Sequence, residues 1–146
     1  FMSKEPHEIF LDANIWFSSL YGSANCERLI DAHIKGRLKA VISRQVLEEI
    51  LRNLEEKLPD GIPVFSKIVK EKPPIVLKDP DKITSVVKIL VHQKDQLIFQ
   101  SALSAKVKIF VTGNTKDFNI QRIKKTYGIE VLSPKQAVEF LGLKGR

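Results

Sequence analysis

The 146-residue chain carries 24 Lys and Arg against 17 Asp and Glu, a formal net charge of +7, and 43% of its residues are hydrophobic. That length fits one domain with a core of its own. The composition excludes a disordered tail and a fibrous repeat, and the single cysteine, Cys26, excludes an intrachain disulfide framework and a cysteine-rich zinc site. Such cysteine usage points to a reducing, cytoplasmic setting. No apolar run approaches the ~18–20 residues of a membrane span, and no signal-like apolar segment opens the chain. Phe1 ahead of Met2 reads as a cloning remnant, which leaves 3–146 as a single domain. The basic balance suits a polyanionic partner if it is clustered, and serves solubility alone if it is not.

Along the chain, short apolar runs alternate with helical periods. Ile9-Phe10-Leu11 reads as a buried strand that stops abruptly at Asp12. Residues 13–20 read as a short helix. Ser23 caps the next one, with Cys26, Leu29, Ile30, His33 and Ile34 at 3–4 spacing and Gly36 as its stop. Ala40-Val41-Ile42 is a second strand. Ser43 then caps a long helix with Val46, Leu47, Ile50, Leu51, Leu54 and Leu58 on one face. Pro59-Asp60-Gly61 breaks it, and residues 62–72 suit a further short helix. Ile75-Val76-Leu77, after two prolines, is an edge strand or an extended connection. Residues 83–91 suit a helix despite their β-branched content. Asp95 opens another helix, and Val107–Val111 is a strand running into the polar cluster 112–118. A basic helix over 119–126, a strand over 129–132 and a closing helix started by Ser133-Pro134-Lys135-Gln136 complete the chain. Such alternation predicts an α/β domain with a mostly parallel sheet covered on both faces. Ligands of such sheets sit beyond the carboxyl ends of the strands.

Carboxylates collect at that edge. Asp12 follows the first strand directly, and Asp117 lies in the loop leaving a later strand. Glu49 sits about two turns into the helix after the second strand, beside its apolar face. Asp95 stands at a helix start, where the dipole favours negative charge. Gathered like charges raise one another's pKa unless a cation neutralises them. Oxygen donors without a Cys or His cluster favour a hard ion, Mg²⁺ or Mn²⁺. On a basic chain this set suggests metal-assisted phosphodiester hydrolysis. The plain readings stand beside it: an Asp after a strand is commonly a helix cap, and a Glu on an amphipathic helix is commonly solvated, as Glu48, Glu55 and Glu56 would be.

Four segments carry a resemblance: Ile9-Phe10-Leu11-Asp12-Ala13-Asn14, Ser43-Arg44-Gln45-Val46-Leu47-Glu48-Glu49-Ile50, Lys94-Asp95-Gln96-Leu97-Ile98-Phe99-Gln100-Ser101-Ala102-Leu103, and Ile109-Phe110-Val111-Thr112-Gly113-Asn114-Thr115-Lys116-Asp117-Phe118. In order and spacing they resemble the PIN (PilT N-terminal) domain, a family of metal-dependent nucleases that includes the VapC-kind toxins of toxin–antitoxin modules. The resemblance implies a three-layer α/β/α fold with a central sheet of four or five strands. It implies metal ligands and catalytic acids at Asp12, Glu49, Asp95 and Asp117, with Glu49 preferred to Glu48 because it stands six residues after Ser43. Thr112, Asn114 and Thr115 resemble residues that orient ligands or water, and Asn14 a supporting partner. Two positions depart from the family pattern: Asn114 stands where many members carry Asp, and Ala13 where Thr is common. The activity implied is Mg²⁺- or Mn²⁺-dependent endoribonuclease action by a homodimeric toxin with a protein antitoxin as partner. A non-catalytic RNA-binding module and a DNA nuclease are the alternatives.

Arg44, Lys94 and Lys116 adjoin the acidic positions and either hold flanking phosphates of RNA or are ordinary exposed cations. Trp16 and Phe17 either stack on a base or serve core packing or a subunit interface. His33 and Cys26 read as structural residues on an apolar helix face, and His7 and His92 have no partner in sequence. Lys124-Lys125 read as a solvated face or an RNA contact. Asp79 and Asp81 read as turn residues.

Overall fold

The computed structural model describes residues 6–143; the expectation for Phe1 and Met2 lies outside them. Among the described residues five strands form one sheet: β1 (His7–Leu11), β2 (Leu38–Ser43), β3 (Ile75–Leu77), β4 (Ile109–Val111) and β5 (Glu130–Leu132), in the order β3-β2-β1-β4-β5. Every pairing is parallel. The Ile75–Leu77 segment, open between two readings from sequence, is the edge strand, with Val41 opposite Ile75 and Ser43 opposite Leu77.

Among the described residues eight helices connect and flank the strands: α1 (Ala13–Tyr21), α2 (Ala24–Ile34), α3 (Arg44–Lys57), α4 (Gly61–Glu71), α5 (Ser85–Leu90), α6 (Gln96–Ala105), α7 (Ile120–Tyr127) and α8 (Pro134–Leu141). Parallel crossovers are right-handed. The steps from β1 to β2 and β2 to β3 run one way along the sheet, which puts α1–α4 over one face. The crossover from β3 back to β4 and the step on to β5 put α5–α7 over the other. The direction therefore reverses between β1 and β4, the place where open α/β sheets hold their ligands.

Each face has its own aromatic cluster. Phe10 and Phe110 sit opposite each other in the β1–β4 register and stack with ring centroids 4.9 Å apart. Phe99 of α6 and Phe118 close over them, at 5.4 Å each from Phe110. Under the first helical layer, Trp16 meets Phe65 of α4 edge-on at 5.6 Å and His33 of α2 at 6.0 Å. Trp16 is 1% exposed, which decides it as core packing and not base stacking. Phe17 is partly buried and stacks on Tyr21 instead.

His33 is structural for a specific reason. Its Nδ1 accepts from the Ala40 amide at 3.1 Å, so Nε2 carries the proton and donates to the Lys72 carbonyl at 2.7 Å. One neutral ring thus ties α2 to β2 and to the end of α4. Burial holds its pKa below the ordinary histidine value, helped by Lys39 and Lys72 and opposed by the Lys72 carbonyl.

Helix boundaries follow the sequence signals closely. Ser43, Thr84 and Ser133 each accept the amide three residues on, at 3.2, 3.4 and 3.1 Å. Ser133 and Gln136 complete a capping box. Thr84 starts α5 at Ser85, two residues later than the apolar pattern suggests. Gly61 opens α4 where a Cβ would stand 3.0 Å from Leu54 Cδ2, so a side chain at the α3–α4 corner would have to push the Leu54 tip aside. Strand β4 begins at Ile109, two residues later than predicted, because α6 ends in a left-handed turn at Lys106, φ 59°. Among the described residues no helix is long and apolar enough to cross a membrane.

Candidate active site

Asp12 is the first residue beyond β1. Its amide continues the sheet ladder to the Val111 carbonyl at 3.1 Å, so the chain cannot turn away from the β1–β4 junction. Its carboxylate makes no capping bond within α1. Instead, Thr112, the first residue beyond β4, donates its hydroxyl to Asp12 Oδ2 at 2.9 Å, and both residues are buried. Thr112 Oγ1 in turn accepts the Asn114 amide at 3.1 Å. Burial raises the Asp12 pKa; the Thr112 hydroxyl, the Ala13 and Asn14 amides and the charge of Lys94 oppose it without cancelling it.

Asp95 ends a single 3-10 turn (Gln93–Asp95) and stands at the N-terminus of α6, 7% exposed. It makes no side-chain cap bond there, and its Oδ2 is buried without a hydrogen-bond partner. The loop after β4 is pinned against this turn: the His92 amide donates to the Asp117 carbonyl at 2.8 Å, and Val91 bridges Phe118. Asp117 therefore lies beside Asp95, with Lys94 Nζ 3.4 Å from its Oδ2. Burial, the charge of Asp12 and the neighbouring Asp117 push the Asp95 carboxyl up to about 7. Burial raises the Asp117 pKa, but the neighbouring Asp95 and Lys94 lower it by more, and it lies below the ordinary range.

The third wall is α3. Gln45, Glu49 and Arg52 follow at i, i+4 and i+7, one helical face, and all three line the cleft. Burial raises the Glu49 pKa, the charge of Asp12 adds to it, and Arg52 opposes it. Asp79, a turn residue by its sequence, also holds the start of this helix, because its Oδ1 accepts the Gln45 amide at 3.1 Å in the first turn of α3.

Asp12, Asn14, Gln45, Glu49, Arg52, Lys94, Asp95, Ile98 and Asn114 thus enclose a cleft of about 290 Å³ at the reversal point of the sheet. Asp117, a neighbour of Asp95, is outside that lining. Thr115 starts a short 3-10 turn (Thr115–Asp117) and accepts the Phe118 amide through its carbonyl. Arg44 is exposed and pairs with Glu48 at 3.6 Å, and Lys116 is exposed on the Asp117 loop. Sequence reasoning misses Gln45 and Arg52; their spacing from Glu49 is the signal that finds them. A larger depression of about 460 Å³ between α1 and α2 is lined by Leu20, Ile30, Ile34 and charged residues of α2, and none of its acids is buried.

Among the described residues no three Asp, Glu, His or Cys side chains stand close enough to enclose an ion by themselves. A hard divalent ion does not require that, since Mg²⁺ commonly takes one or two carboxylates and fills its shell with water. The donor set fits such an ion: it is all oxygen, the charge of Asp12 raises the Asp95 pKa, and Asp95 Oδ2 has no partner.

A three-layer α/β/α domain with buried carboxylates at the carboxyl edge of a parallel sheet is the class defined so far. The PIN domain model matches residues 8–116. The chain belongs to the PIN domain family. No curated protein matches it. Among solved structures, it resembles a chain in the crystal structure of VapBC2 from Rickettsia felis bound to a DNA fragment from their promoter, with a TM-score of 0.59, 16% identity, and coverage of 86% of this chain and 98% of that one.

Proposed function

We propose that this chain is a Mg²⁺- or Mn²⁺-dependent endoribonuclease, the toxin of a toxin–antitoxin pair, acting as a homodimer in the cytoplasm. One observation carries the reading: Asp12 and Asp95 are both buried, face one cleft, the charge of Asp12 raises the Asp95 pKa, and Asp95 leaves an oxygen without a partner. Uncompensated buried carboxylates are costly, so a fold that keeps two of them together at the ligand end of its sheet supports a bound cation. Membership of a nuclease family supports the reaction class, and the likeness to a VapBC2 chain supports an antitoxin partner.

Asp12 and Asp95 would hold the ion, with Glu49 completing the site from α3 and Asp117 from beside Asp95. When bound, the ion supplies charge neutralisation for a phosphate and lowers the pKa of a water. The residues do the rest. Thr112 holds Asp12 in one orientation through its bond to Oδ2. Lys94 keeps Asp117 ionised and offers its remaining ammonium donors to a phosphate. Asn14 and Asn114, on the cleft wall, supply neutral polar contacts that neither add to nor cancel the acidic charge.

The test is cleavage of a single-stranded RNA and a DNA of the same sequence by the purified chain. RNA is cut with Mg²⁺ or Mn²⁺, cutting stops with EDTA, and Asp12→Asn lowers the rate at least about a hundredfold. Cleavage that survives both EDTA and Asp12→Asn rules the mechanism out. Preferential cutting of DNA replaces the ribonuclease reading with the DNA-nuclease one.

A further inference from the structure

Arg52 is surrounded in sequence by acids at helical spacing: Glu48 at i−4, Glu49 at i−3, Glu55 at i+3 and Glu56 at i+4. An exposed arginine so placed pairs along the helix by default, as Arg44 does with Glu48 on the same helix. Arg52 does not: among the described residues it makes no ion pair within 4 Å, and it is exposed where it lines the acidic cleft. Lys94, the other cation of the lining, enters from the opposite helical layer and is engaged with Asp117 at 3.4 Å. The cleft thus has a cation on each wall, and the guanidinium on α3, although its charge acts on Glu49, is held in no ion pair within 4 Å among the described residues.

Resting on the nuclease reading above, we propose that Arg52 binds a phosphate flanking the scissile one, so that the strand spans the cleft between α3 and Lys94 and the bond to be cut lies over Asp12 and Asp95. The guanidinium fork matches two phosphate oxygens at once, which fixes orientation as well as distance, something a lysine ammonium at the same place does not do. The contact is with a non-reacting group, so it binds ground state and transition state alike. Its loss raises KM and leaves kcat in place.

The experiment compares wild type, Arg52→Ala and Arg52→Lys, with Lys35→Gln, a surface cation paired to Asp31 on α2, as the charge control. Binding of a labelled single-stranded RNA is measured in the Asp12→Asn background across a salt series, and steady-state cleavage in the active background. Arg52→Ala weakens binding about tenfold and reduces the salt slope by about 0.7, the value for one phosphate contact on a single strand. Its KM rises by a similar factor, with kcat within about twofold of wild type. Arg52→Lys keeps the slope and recovers part of the affinity, an outcome that a purely structural role for Arg52 would not produce. Lys35→Gln changes neither. An unchanged salt slope in Arg52→Ala, with cleavage by the wild type intact, overturns the Arg52 assignment alone. A wild-type chain that neither binds nor cuts RNA or DNA with metal present overturns it together with the nuclease reading.

Discussion

Thr112 and Asp12 are 100 positions apart, yet one hydroxyl bond between them sets the geometry of the cleft. Thr112→Val keeps the shape and removes the donor. It is expected to cost about 2 kcal/mol in the folded chain, because the lost partner served a buried acid, and to weaken metal binding about tenfold. Denaturant unfolding and Mn²⁺ titration read the two effects separately. The buried acids also set a pH dependence in the metal-free protein. The Asp95 carboxyl titrates near 7 when folded, against an ordinary value of 3.8, so the folded state retains a proton that the unfolded chain has released. Its stabilising contribution is complete below about pH 4 and is lost as pH rises toward 7. Asp12 and Glu49, also raised, act in the same direction. His33 acts in the opposite one: its folded pKa lies below 6.5, so its contribution is present above that value and lost on acidification. Thermal unfolding in EDTA between pH 4 and 8 should therefore show that Asp95→Asn removes much of the loss on the alkaline side. An identical pH profile in that variant would contradict the assignment.

At the level of elements, helix ends carry much of the specification. Ser43 is fully buried, ends β2 and caps α3, the helix that brings Gln45, Glu49 and Arg52 to the cleft. Ser43→Ala is expected to cost about 1 kcal/mol, as cap removals do, and to loosen that wall; the change in denaturant midpoint measures it. At the end of α6, Lys106 occupies the left-handed region at φ 59°. Lys106→Gly should raise stability by about 1 kcal/mol, since glycine adopts that conformation without the Cβ clash. The same signals made most elements legible in the sequence: Ser23, Ser43 and Ser133 mark helix starts, Gly36 a stop, and apolar runs the central strands. The late starts of α5 and β4 were not legible. One depends on Thr84 turning its hydroxyl to the Val87 amide, and the other on a residue that is not glycine taking a glycine conformation.

The whole molecule decides what sits together. Asp12 was legible because an apolar run ends at it, and the edge placement of Asp117 because a strand precedes its loop. That β1 and β4 are neighbours, which joins Thr112 to Asp12 and puts Asp95 beside both, follows from the strand order, and no short stretch of sequence states that order. Arg52 shares a helical face with Glu49, a spacing the sequence states, but only the fold shows that this face opens on the cleft. An ion at Asp12 and Asp95 would join β1 to α6, elements far apart in the chain, so its binding should register in global stability. Thermal unfolding at pH 8, with EDTA or with Mn²⁺, is the measurement to make on wild type and Asp95→Asn. In EDTA the variant should melt above wild type, because a buried repulsion is gone. At about a hundred times its Kd, Mn²⁺ should raise the wild-type Tm by roughly 5–10 °C and leave Asp95→Asn unmoved. An equal shift in both proteins, or none in the wild type, would contradict a metal site at these carboxylates.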